Sequence, residues 1–441
     1  MPDNQPHILC IFTDQQSADA MSCTGNPYVQ TPAMDRLAAQ GVRFEHAYSA
    51  YPLCTPARAG MFTGRMPHEV GIVGNNQPIS EPVRKLGMGH VLTAAGYDCV
   101  YGGKWHVPEI EIPEGHGFRS ICGFDDNRLA QRCADFIKGE HNQPFFLVAS
   151  FDNPHNICEW GRQQVLPWGP IPDVPPLEQC PNLPANFTSG PFEPAALHLI
   201  HNKGRIYGAT LDYTPEDWRR YRYGYYRLVE KVDQEIGKIL GALDEAGLTE
   251  NTLVVFSSDH GEMNGAHQMI QKSVLYEESV GVPFIVRAPG GQQGMVDRQH
   301  LVSNGLDLYP TLCDYAGVDP PESLAGCSLR PLIEDGQEQD WRDHLVAETR
   351  FGEINCRGRM VRTQRYKYIV YEMGRYREQL FDMVNDPGEL VNLAMESRFD
   401  DVLNQHRNLL KDWCERTGDL FGHHYAYEDV SFIMPGFEFS T

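Results

Sequence analysis

Five short apolar runs, separated by helical segments, restrict most strongly the folds that this chain can adopt. Each run is rich in β-branched and aromatic residues and has the length of a buried strand. The runs span residues 7–13, 98–101, 144–151, 252–257 and 283–287. Between them we predict a helix from Pro32, with Thr31 as N-cap and Gly41 as stop, and another over residues 217–248. This alternation predicts an α/β fold with a large, mostly parallel sheet sandwiched by helices.

Polar and charged side chains follow four of these strands at the point where each strand ends. They are Asp14 and Gln15 after the first strand, Lys104 and His106 after the second, His155 after the third, and Asp259 and His260 after the fourth. In an open α/β sheet, ligands bind beyond the carboxyl ends of the strands. We therefore expect these side chains to meet at one edge of the sheet and to form the functional site.

The charge balance and the lack of membrane signals exclude two classes of partner. The 441 residues carry a formal net charge of −22, whereas a nucleic-acid or anionic-membrane binder needs a basic surface. No segment approaches the roughly 18 apolar residues of a membrane span, and the N-terminus lacks the pattern of a signal peptide. Twelve cysteines without the spacing of a disulfide framework favour reduced thiols. We therefore expect a cytoplasmic protein that acts on a small molecule.

A second region with a different pattern forms the C-terminal part of the chain. Residues 365–371 and 378–383 predict an antiparallel hairpin, and a helical pattern follows them. We therefore divide the chain into a catalytic α/β domain, residues 1–335, and a small C-terminal α+β subdomain with an antiparallel sheet, residues 336–441. Residues 160–210 are rich in proline and glycine and predict a long irregular insertion, of the kind that forms lids or substrate walls.

The segment from Cys54 to Arg65 carries a pattern that an ordinary loop cysteine lacks. It reads C-T-P-A-R-A-G-M-F-T-G-R, with no second cysteine or histidine nearby to form a disulfide or a zinc site. The C-x-P-x-R pattern and the T-G-R after it resemble the signature of type I sulfatases, a family with the alkaline-phosphatase-like fold. Further matches run in order along nearly the whole chain: Asp14-Gln15, G-K-W-H at 103–106, P-H at 154–155, S-D-H-G-E at 258–262, Lys272, and L-F-D-M-V-N-D-P-G-E-L-V-N-L in the C-terminal region.

The resemblance implies a chemical change at Cys54. In this family a separate formylglycine-generating enzyme oxidises that cysteine to Cα-formylglycine, whose aldehyde hydrates to a geminal diol beside a divalent cation. One oxygen of the diol attacks the sulfur of the substrate, and the other then expels sulfate and regenerates the aldehyde. A serine or a thiol has no second hydroxyl, so it would stay trapped as a stable ester.

The resemblance also implies a cation site built from Asp14, Gln15, Cys54, Asp259 and His260. Carboxylates carry negative charge to a hard cation, and the Gln15 side chain can add its carbonyl oxygen. Calcium is the family default. Imidazole is a poor calcium ligand, so His260 leaves manganese, magnesium or zinc open, and also a place beside the site rather than in it.

Five further residues match positions that handle the sulfate group in this family. The resemblance implies that Arg58 stabilises the ionised diol and that Lys104 and Lys272 contact the sulfate oxygens, where fixed cations stabilise the transition state. His155 is then the candidate general acid for the leaving oxygen, and His106 orients the diol or takes its proton. For Lys272, a solvated surface lysine is the alternative.

Three more residues are weaker candidates for the substrate pocket. Asn75, in V-G-N-N near the end of the signature helix, aligns with a substrate-contacting asparagine of the phosphonate-hydrolase branch, although N-N also suits a turn. His267 and Arg357 are candidates by position alone. Only Asn75 is therefore predicted to bind substrate.

These patterns predict a sulfuric ester hydrolase that cleaves a sulfate monoester, and family frequencies favour a sulfated saccharide as its substrate. The pairs Asp14-Gln15 and Asp259-His260 also resemble the branch that contains choline sulfatases and phosphonate monoester hydrolases. Hydrolysis of a phosphonate monoester or a phosphodiester by the same site is the alternative. A third hypothesis is a metal-binding protein without activity, in which Cys54 is never converted.

Overall fold

An eight-stranded sheet lies at the centre of this computed structural model. The structure describes residues 5–75, 77–106, 113–203, 210–336, 340–352 and 354–422, with only the backbone of residues 201–203. The described residues form fourteen strands in three sheets, of which eight belong to the large sheet. In chain order the strands are β1 (His7–Asp14), β2 (Val42–Phe44), β3 (Ala47–Tyr48), β4 (Asp98–Gly103), β5 (Arg119–Cys122), β6 (Phe145–Pro154), β7 (Thr252–Ser258), β8 (Phe284–Arg287), β9 (Met295–Asp297), β10 (Val302–Ser303), β11 (His344–Phe351), β12 (Cys356–Thr363), β13 (Tyr366–Tyr371) and β14 (Glu378–Asp382).

The strand order of the large sheet is β5-β4-β6-β1-β7-β8-β2-β9. Strand β8 runs antiparallel to both of its neighbours, whereas the other pairings are parallel. All five predicted strands are present, and four of them, β4, β6, β1 and β7, are consecutive in the sheet. Their carboxyl ends therefore share one edge, as expected from the sequence.

Helices cover both faces of this sheet. In chain order the helices of the described residues are α1 (Pro32–Ala39), α2 (Cys54–Thr63), α3 (Pro67–Val70), α4 (Glu81–Lys85), α5 (Met88–Ala94), α6 (Asp126–Ile137), α7 (Ile157–Gly161), α8 (Ala195–Lys203), α9 (Pro215–Glu245), α10 (Glu277–Val280), α11 (Asn304–Ala316), α12 (Arg330–Glu334) and α13 (Asp400–Thr417). Helix α13 packs on β11 and β12 instead of on the large sheet. Over the described ranges, none of the helices combines the length and the apolar character of a membrane span.

Alternate residues of β1 face two separate cores, because side chains point to opposite faces along a strand. Leu9 and Ile11 pack with residues of α1, α6 and α9. Ile8 and Cys10 pack on the other side with residues of α2, α5 and α11. The predicted sandwich of a mostly parallel sheet between helices is therefore confirmed.

Helix α1 begins where the sequence predicts, but its ends are stabilised differently. Thr31 makes no side-chain capping bond; instead Asp233 of α9 accepts from the backbone N–H groups of Ala33 and Met34 at 3.1 and 2.9 Å. The helix ends at Ala39, before Gly41. A Cβ atom at Gly41 would lie 2.2 Å from the Val286 carbonyl oxygen, so glycine is required here by the close approach of β8. Both features depend on tertiary contacts that a local pattern does not contain.

A four-stranded antiparallel sheet, in the order β11-β12-β13-β14, forms the C-terminal part of the fold, and it includes the predicted hairpin. The fully buried ammonium of Lys367 on β13 joins it to the first part of the chain. Lys367 Nζ lies 3.0 Å from Glu277 Oε1 of α10 and 2.8 Å from Glu389 Oε1. The domain boundary at residue 335 stays a prediction, and residues 423–441 lie outside the described part.

Up to residue 203, the insertion over residues 160–210 contains the 3-10 turn Leu177–Gln179 and helix α8. Residues 204–209 lie outside the description. The insertion contributes Pro167 and Trp168 to the wall of a cavity that Lys104 and His155 also line.

We predict that Lys367→Met lowers the free energy of unfolding by about 3–5 kcal/mol, because it removes the buried ammonium that Glu277 and Glu389 share. Denaturant-induced unfolding measures the loss. Lys238→Met is the matched control: Lys238 Nζ lies 2.7 Å from Glu235 on the surface of α9, and such pairs contribute at most about 1 kcal/mol. Equal losses in the two variants would contradict the assigned role of Lys367.

Candidate active site

The charged strand ends meet around the side chain of Arg58, which is buried. Its Nε lies 2.9 Å from Asp259 Oδ2, and its Nη2 lies 3.3 Å from Asp14 Oδ2. Its Nη1 donates to the Lys104 carbonyl oxygen at 3.0 Å and to Ser150 Oγ at 2.8 Å. The guanidinium therefore contacts the ends of β1, β4, β6 and β7, and it offsets two buried carboxylates that would otherwise repel each other.

Cys54 is the first residue of α2, and Arg58 follows one turn later on the same face of the helix. The Cys54 Sγ atom lies 3.2 Å from His260 Nε2 and 3.7 Å from Asp14 Oδ1. Burial and the Asp14 carboxylate oppose ionisation of this thiol. Nearby cationic side chains, of which Lys272 has the largest effect, outweigh them and hold the pKa of Cys54 well below its ordinary value.

Asp14, Cys54, Asp259 and His260 form a group of potential metal ligands. One donor atom of each lies within 4.8 Å of the donor atoms of the other three. His260 Nδ1 donates to the Gly261 carbonyl oxygen at 3.0 Å, so its Nε2 faces the group and can bind a cation when it is unprotonated. Burial and the Asp14 carboxylate raise the pKa of Asp259 to about 6. Two carboxylates and an imidazole fit a divalent cation, whose charge would remove this repulsion.

Gln15 lies beside this group, but its side-chain amide has other partners. Its backbone N–H donates to Asp259 Oδ1 at 3.1 Å. Its Nε2 donates to Glu262 Oε2, and its Oε1 accepts from the Lys272 ammonium. Lys272 is buried and is therefore not a solvated surface lysine. The role of Gln15 as a metal ligand stays a prediction, because its carbonyl oxygen already binds that ammonium.

Lys104 reaches the site because β4 passes very close to β6 at Gly103. The φ angle of Gly103 is +94°, and a Cβ atom there would lie 2.0 Å from the Ser150 carbonyl oxygen. Lys104 Nζ lies 2.8 Å from Asp14 Oδ2 and 2.9 Å from Asp152 Oδ1. The two carboxylates hold the ammonium between the metal-ligand group and the surface of the site, where it can donate to an anionic substrate.

His155 and His106 border a cavity of about 820 Å³ that also contacts Lys104. His155 is partly exposed, and its Nδ1 lies 3.9 Å from Asp152 Oδ1. Burial, followed by the charges of Lys104 and Lys272, holds the pKa of His155 well below its usual value. His106 Nδ1 is buried without a hydrogen-bond partner among the described residues. The two imidazoles can therefore exchange protons with a ligand in this cavity.

The three weaker candidates divide into one residue near the site and two elsewhere. Asn75 lies in the loop after α3, not at the end of the signature helix, and its Oδ1 accepts from the Thr55 backbone N–H at 3.2 Å. His267 is buried and stacks on Tyr276, with ring centroids 3.9 Å apart. Arg357 forms an ion pair within the C-terminal part of the fold. Neither His267 nor Arg357 lines the cavity beside His155.

Sequence analysis missed three residues that support this site. Asp152 accepts from Lys104 and from Trp168 Nε1, at 2.9 and 2.8 Å. Glu262 is fully buried, and its Oε1 accepts from the Tyr221 hydroxyl at 3.0 Å. Both acids lie inside the motifs D-N-P-H and S-D-H-G-E, so their proximity to predicted site residues was a usable signal. Trp168 had no such signal, because only the tertiary structure brings the insertion to the strand ends.

Comparison with known proteins identifies the family. The family model for sulfatases matches residues 6–318, and a model described as the C-terminal part of N-sulphoglucosamine sulphohydrolase matches residues 265–416. The chain belongs to the sulfatase family. This sulfatase is 30% identical over 440 residues to Delta 4,5-hexuronate-2-O-sulfatase of Bacteroides thetaiotaomicron, with 94% of this chain and 90% of the relative covered. The prediction of a sulfuric ester hydrolase is therefore confirmed.

Solved structures are similar to this sulfatase over nearly its whole length. A 2-O GAG sulfatase has a TM-score of 0.86 and 29% identity, with 95% of this chain and 93% of the other covered. Phosphonate monoester hydrolase of Agrobacterium radiobacter has a TM-score of 0.79 and 24% identity, with 94% and 96% covered, which concerns the fold alone. The predicted alkaline-phosphatase-like fold is thus confirmed.

We predict that CaCl₂ raises the thermal stability of this sulfatase and that Asp259→Asn removes most of the effect. A cation at one hundred times its dissociation constant stabilises the folded state by about 2.7 kcal/mol, and the variant lacks one of the two carboxylates. Calorimetry in chelator and in CaCl₂ measures the difference. Asp233→Asn is the matched control, since Asp233 is also a buried carboxyl with a pKa raised to about 6 by burial, but binds the N-terminus of α1. An equal calcium response in all three proteins would contradict the site.

Proposed function

We propose that this sulfatase hydrolyses a sulfate monoester of a saccharide, with a Cα-formylglycine made from Cys54 as nucleophile and calcium as the bound cation. One observation carries the proposal: Cys54 lies within 4.8 Å of the donor atoms of Asp14 and Asp259, and Arg58 contacts both carboxylates. The names of a similar sequence, a hexuronate-2-O-sulfatase, and of a similar solved structure, a 2-O GAG sulfatase, support a sugar as the sulfate carrier.

The cation would be held by Asp14, Asp259 and His260, and the two carboxylates favour calcium. A bound divalent cation supplies positive charge that favours the ionised nucleophile. The hydrated aldehyde supplies two oxygens, one for attack on sulfur and one for the later release of sulfate. Arg58 orients both carboxylates and adds a fixed positive charge behind residue 54, so the anionic form of the nucleophile is stabilised electrostatically.

Two buried lysines are in position to bind the sulfate group. An ammonium has three N–H donors, and among the described residues Lys104 gives two of them to Asp14 and Asp152. The third can donate to a sulfate oxygen. Lys272 contacts Gln15 and has a pKa raised by its anionic neighbours in spite of burial, so it stays protonated. These charges stabilise the negative charge that the transferring group carries in the transition state.

His155 is the proposed general acid and His106 the proposed base. An alkoxide leaving from a sugar is strongly basic, so a proton must reach the leaving oxygen as the S–O bond breaks. His155 lies at the cavity, on the side where the alcohol part of the substrate would lie. A bound sulfate places negative charge beside this imidazole and thereby raises its lowered pKa, so that the ring can carry the proton that it donates to the leaving oxygen.

Formation of the aldehyde requires a partner enzyme. We expect a formylglycine-generating enzyme to act on Cys54 before folding is complete, because this side chain is only 1% exposed in the folded chain. A chain that escapes conversion would fold with an ordinary thiol and stay inactive. The cytoplasm is the proposed location, because twelve cysteines without the spacing of a disulfide framework favour reduced thiols.

A phosphonate monoester or phosphodiester hydrolase is the second candidate. The pairs Asp14-Gln15 and Asp259-His260 favour it, and the fold is shared with a phosphonate monoester hydrolase. Sulfated monosaccharides, 4-nitrophenyl sulfate and phenyl phosphonate monoesters, tested side by side, separate the candidates. Fast phosphonate turnover without release of sulfate would reverse their order.

We predict that Cys54→Ala abolishes turnover of every sulfate ester while its circular dichroism stays that of the parent, because only the nucleophile is removed. Intact mass of the parent should show residue 54 lighter than cysteine, since the aldehyde replaces sulfur and two hydrogens with one oxygen. Cys327→Ala, at an exposed cysteine, is the control and should keep full activity. Activity in the Cys54→Ala variant would contradict the proposal that residue 54 supplies the nucleophile.

We also predict that His155→Ala slows sugar sulfates far more than 4-nitrophenyl sulfate. General acid catalysis contributes about 10²–10⁴-fold for a basic leaving group and little for a stable phenolate. The loss of kcat in the variant, compared between the two substrate classes, measures how much His155 contributes as a general acid. Equal losses with both would show that His155 does not donate to the leaving oxygen.

A further inference from the structure

The cavity beside the predicted sulfate-binding residues is larger than a sulfate group needs, because many other residues also line it. It has a volume of about 820 Å³, and Lys104, His106 and His155 are three of the sixteen described residues that line it. Pockets of about 300–1,000 Å³ hold ligands of drug size, so a sugar ring fits. A substrate whose sulfate contacts Lys104 would therefore place its ring in the remainder of this cavity.

One wall of the cavity is aromatic. Phe124 is 54% exposed, and its ring packs edge-on against Trp168 with centroids 5.3 Å apart. Trp168 Nε1 donates to Asp152 Oδ2 at 2.8 Å, which fixes the indole. Lys104 Nζ lies 5.8 Å from the centre of the Phe124 ring. The apolar C–H face of a sugar can pack on this wall while its sulfate remains near Lys104.

Two further residues of the cavity lining, Asn156 and Glu159, carry hydrogen-bond acceptors without partners among the described residues. Asn156 is 1% exposed, and its Nδ2 donates to Asp152 Oδ2 at 2.6 Å. Its Oδ1 has no partner among the described residues, nor has Oε2 of Glu159, one turn further along α7. Leaving buried acceptors unpaired costs about 1–3 kcal/mol each, so both favour a ligand that brings donors. Hydroxyl groups of a sugar supply them.

The charge of the cavity disfavours a second anionic group on that ring. Lys104 is the single lysine or arginine among the described residues that line it, and two carboxylates already neutralise its ammonium. Glu159 and Glu114 add negative charge to the lining, and Arg162, three residues after Glu159, is not part of it. A carboxylate on the sugar would therefore meet repulsion without a counter-ion.

From these observations we infer that this cavity is the subsite for the ring that carries the sulfate, and that it selects a ring with free hydroxyl groups and no carboxylate. The inference rests on the proposed hydrolysis of sulfated saccharides. Phe124 and Trp168 form the stacking wall, and Asn156 and Glu159 accept from hydroxyl groups. Specificity then comes from residues next to, but separate from, those that handle the sulfate.

The test compares monosulfated hexoses with sulfated hexuronates as substrates of the converted, metal-loaded enzyme. We expect the best neutral hexose sulfate to exceed the corresponding hexuronate in kcat/KM. Glu159→Gln should raise KM for the hexose about tenfold, with a smaller change in kcat, because it loses a charged acceptor. The same variant should raise kcat/KM for the hexuronate, because it removes the repulsion. Phe124→Ala should raise KM for both.

Glu178→Gln is the matched control, an exposed acid of the insertion that is not part of the cavity lining, and it should change neither substrate. A preference for hexuronates, or no change of either substrate in Glu159→Gln, would overturn the subsite and leave the proposed function standing. If the converted enzyme released sulfate from no sugar at all, the proposed function would fail, and the subsite with it.

Discussion

A buried guanidinium between two carboxylates is the interaction on which the rest of this structure depends. Arg58 comes from α2, and its partner Asp14 ends β1 while Asp259 directly follows β7, so one side chain fixes the helix to the centre of the sheet. Losing one partner of such a buried group costs about 3–5 kcal/mol. Because Cys54 lies one turn before Arg58, the same contact places the proposed precursor of the nucleophile among the potential metal ligands. The charges of Arg58, Asp14 and Asp259 therefore contribute both to the stability of the fold and to the geometry of the proposed active site.

From this centre, hydrogen bonds between charged groups run outward to the cavity. Lys104 binds Asp14 on its inner side and Asp152 on its outer side, and Asp152 accepts from Trp168. The wall that would contact the sugar is therefore joined to the ammonium that would contact the sulfate. In a network of this kind the outer groups orient the inner ones, so a change in the cavity wall is expected to affect sulfate binding as well.

The relatives establish the family, but they do not identify the substrate, which depends on the residues that line the cavity. Sulfatases and a phosphonate monoester hydrolase share this fold with TM-scores of 0.86 and 0.79, so the fold alone does not choose between sulfur and phosphorus or among sugars. That choice depends on a few side chains around the common centre. Here Phe124, Trp168 and Glu159 line the cavity without being predicted to bind the sulfate, and they come from a loop, from the insertion and from α7.

The sequence by itself determined the large sheet, its helical layers and most of the site, because buried strands, their polar ends and the signature around Cys54 are local patterns. It could not determine the position of Asn75. This side chain accepts from the Thr55 backbone N–H only because α3 turns the chain back toward the start of α2. Nor could the sequence reveal Asp152 as the link between Lys104 and Trp168. Those contacts join residues far apart in the chain, and only the packing of strands, insertion and helices decides which distant charges and rings meet.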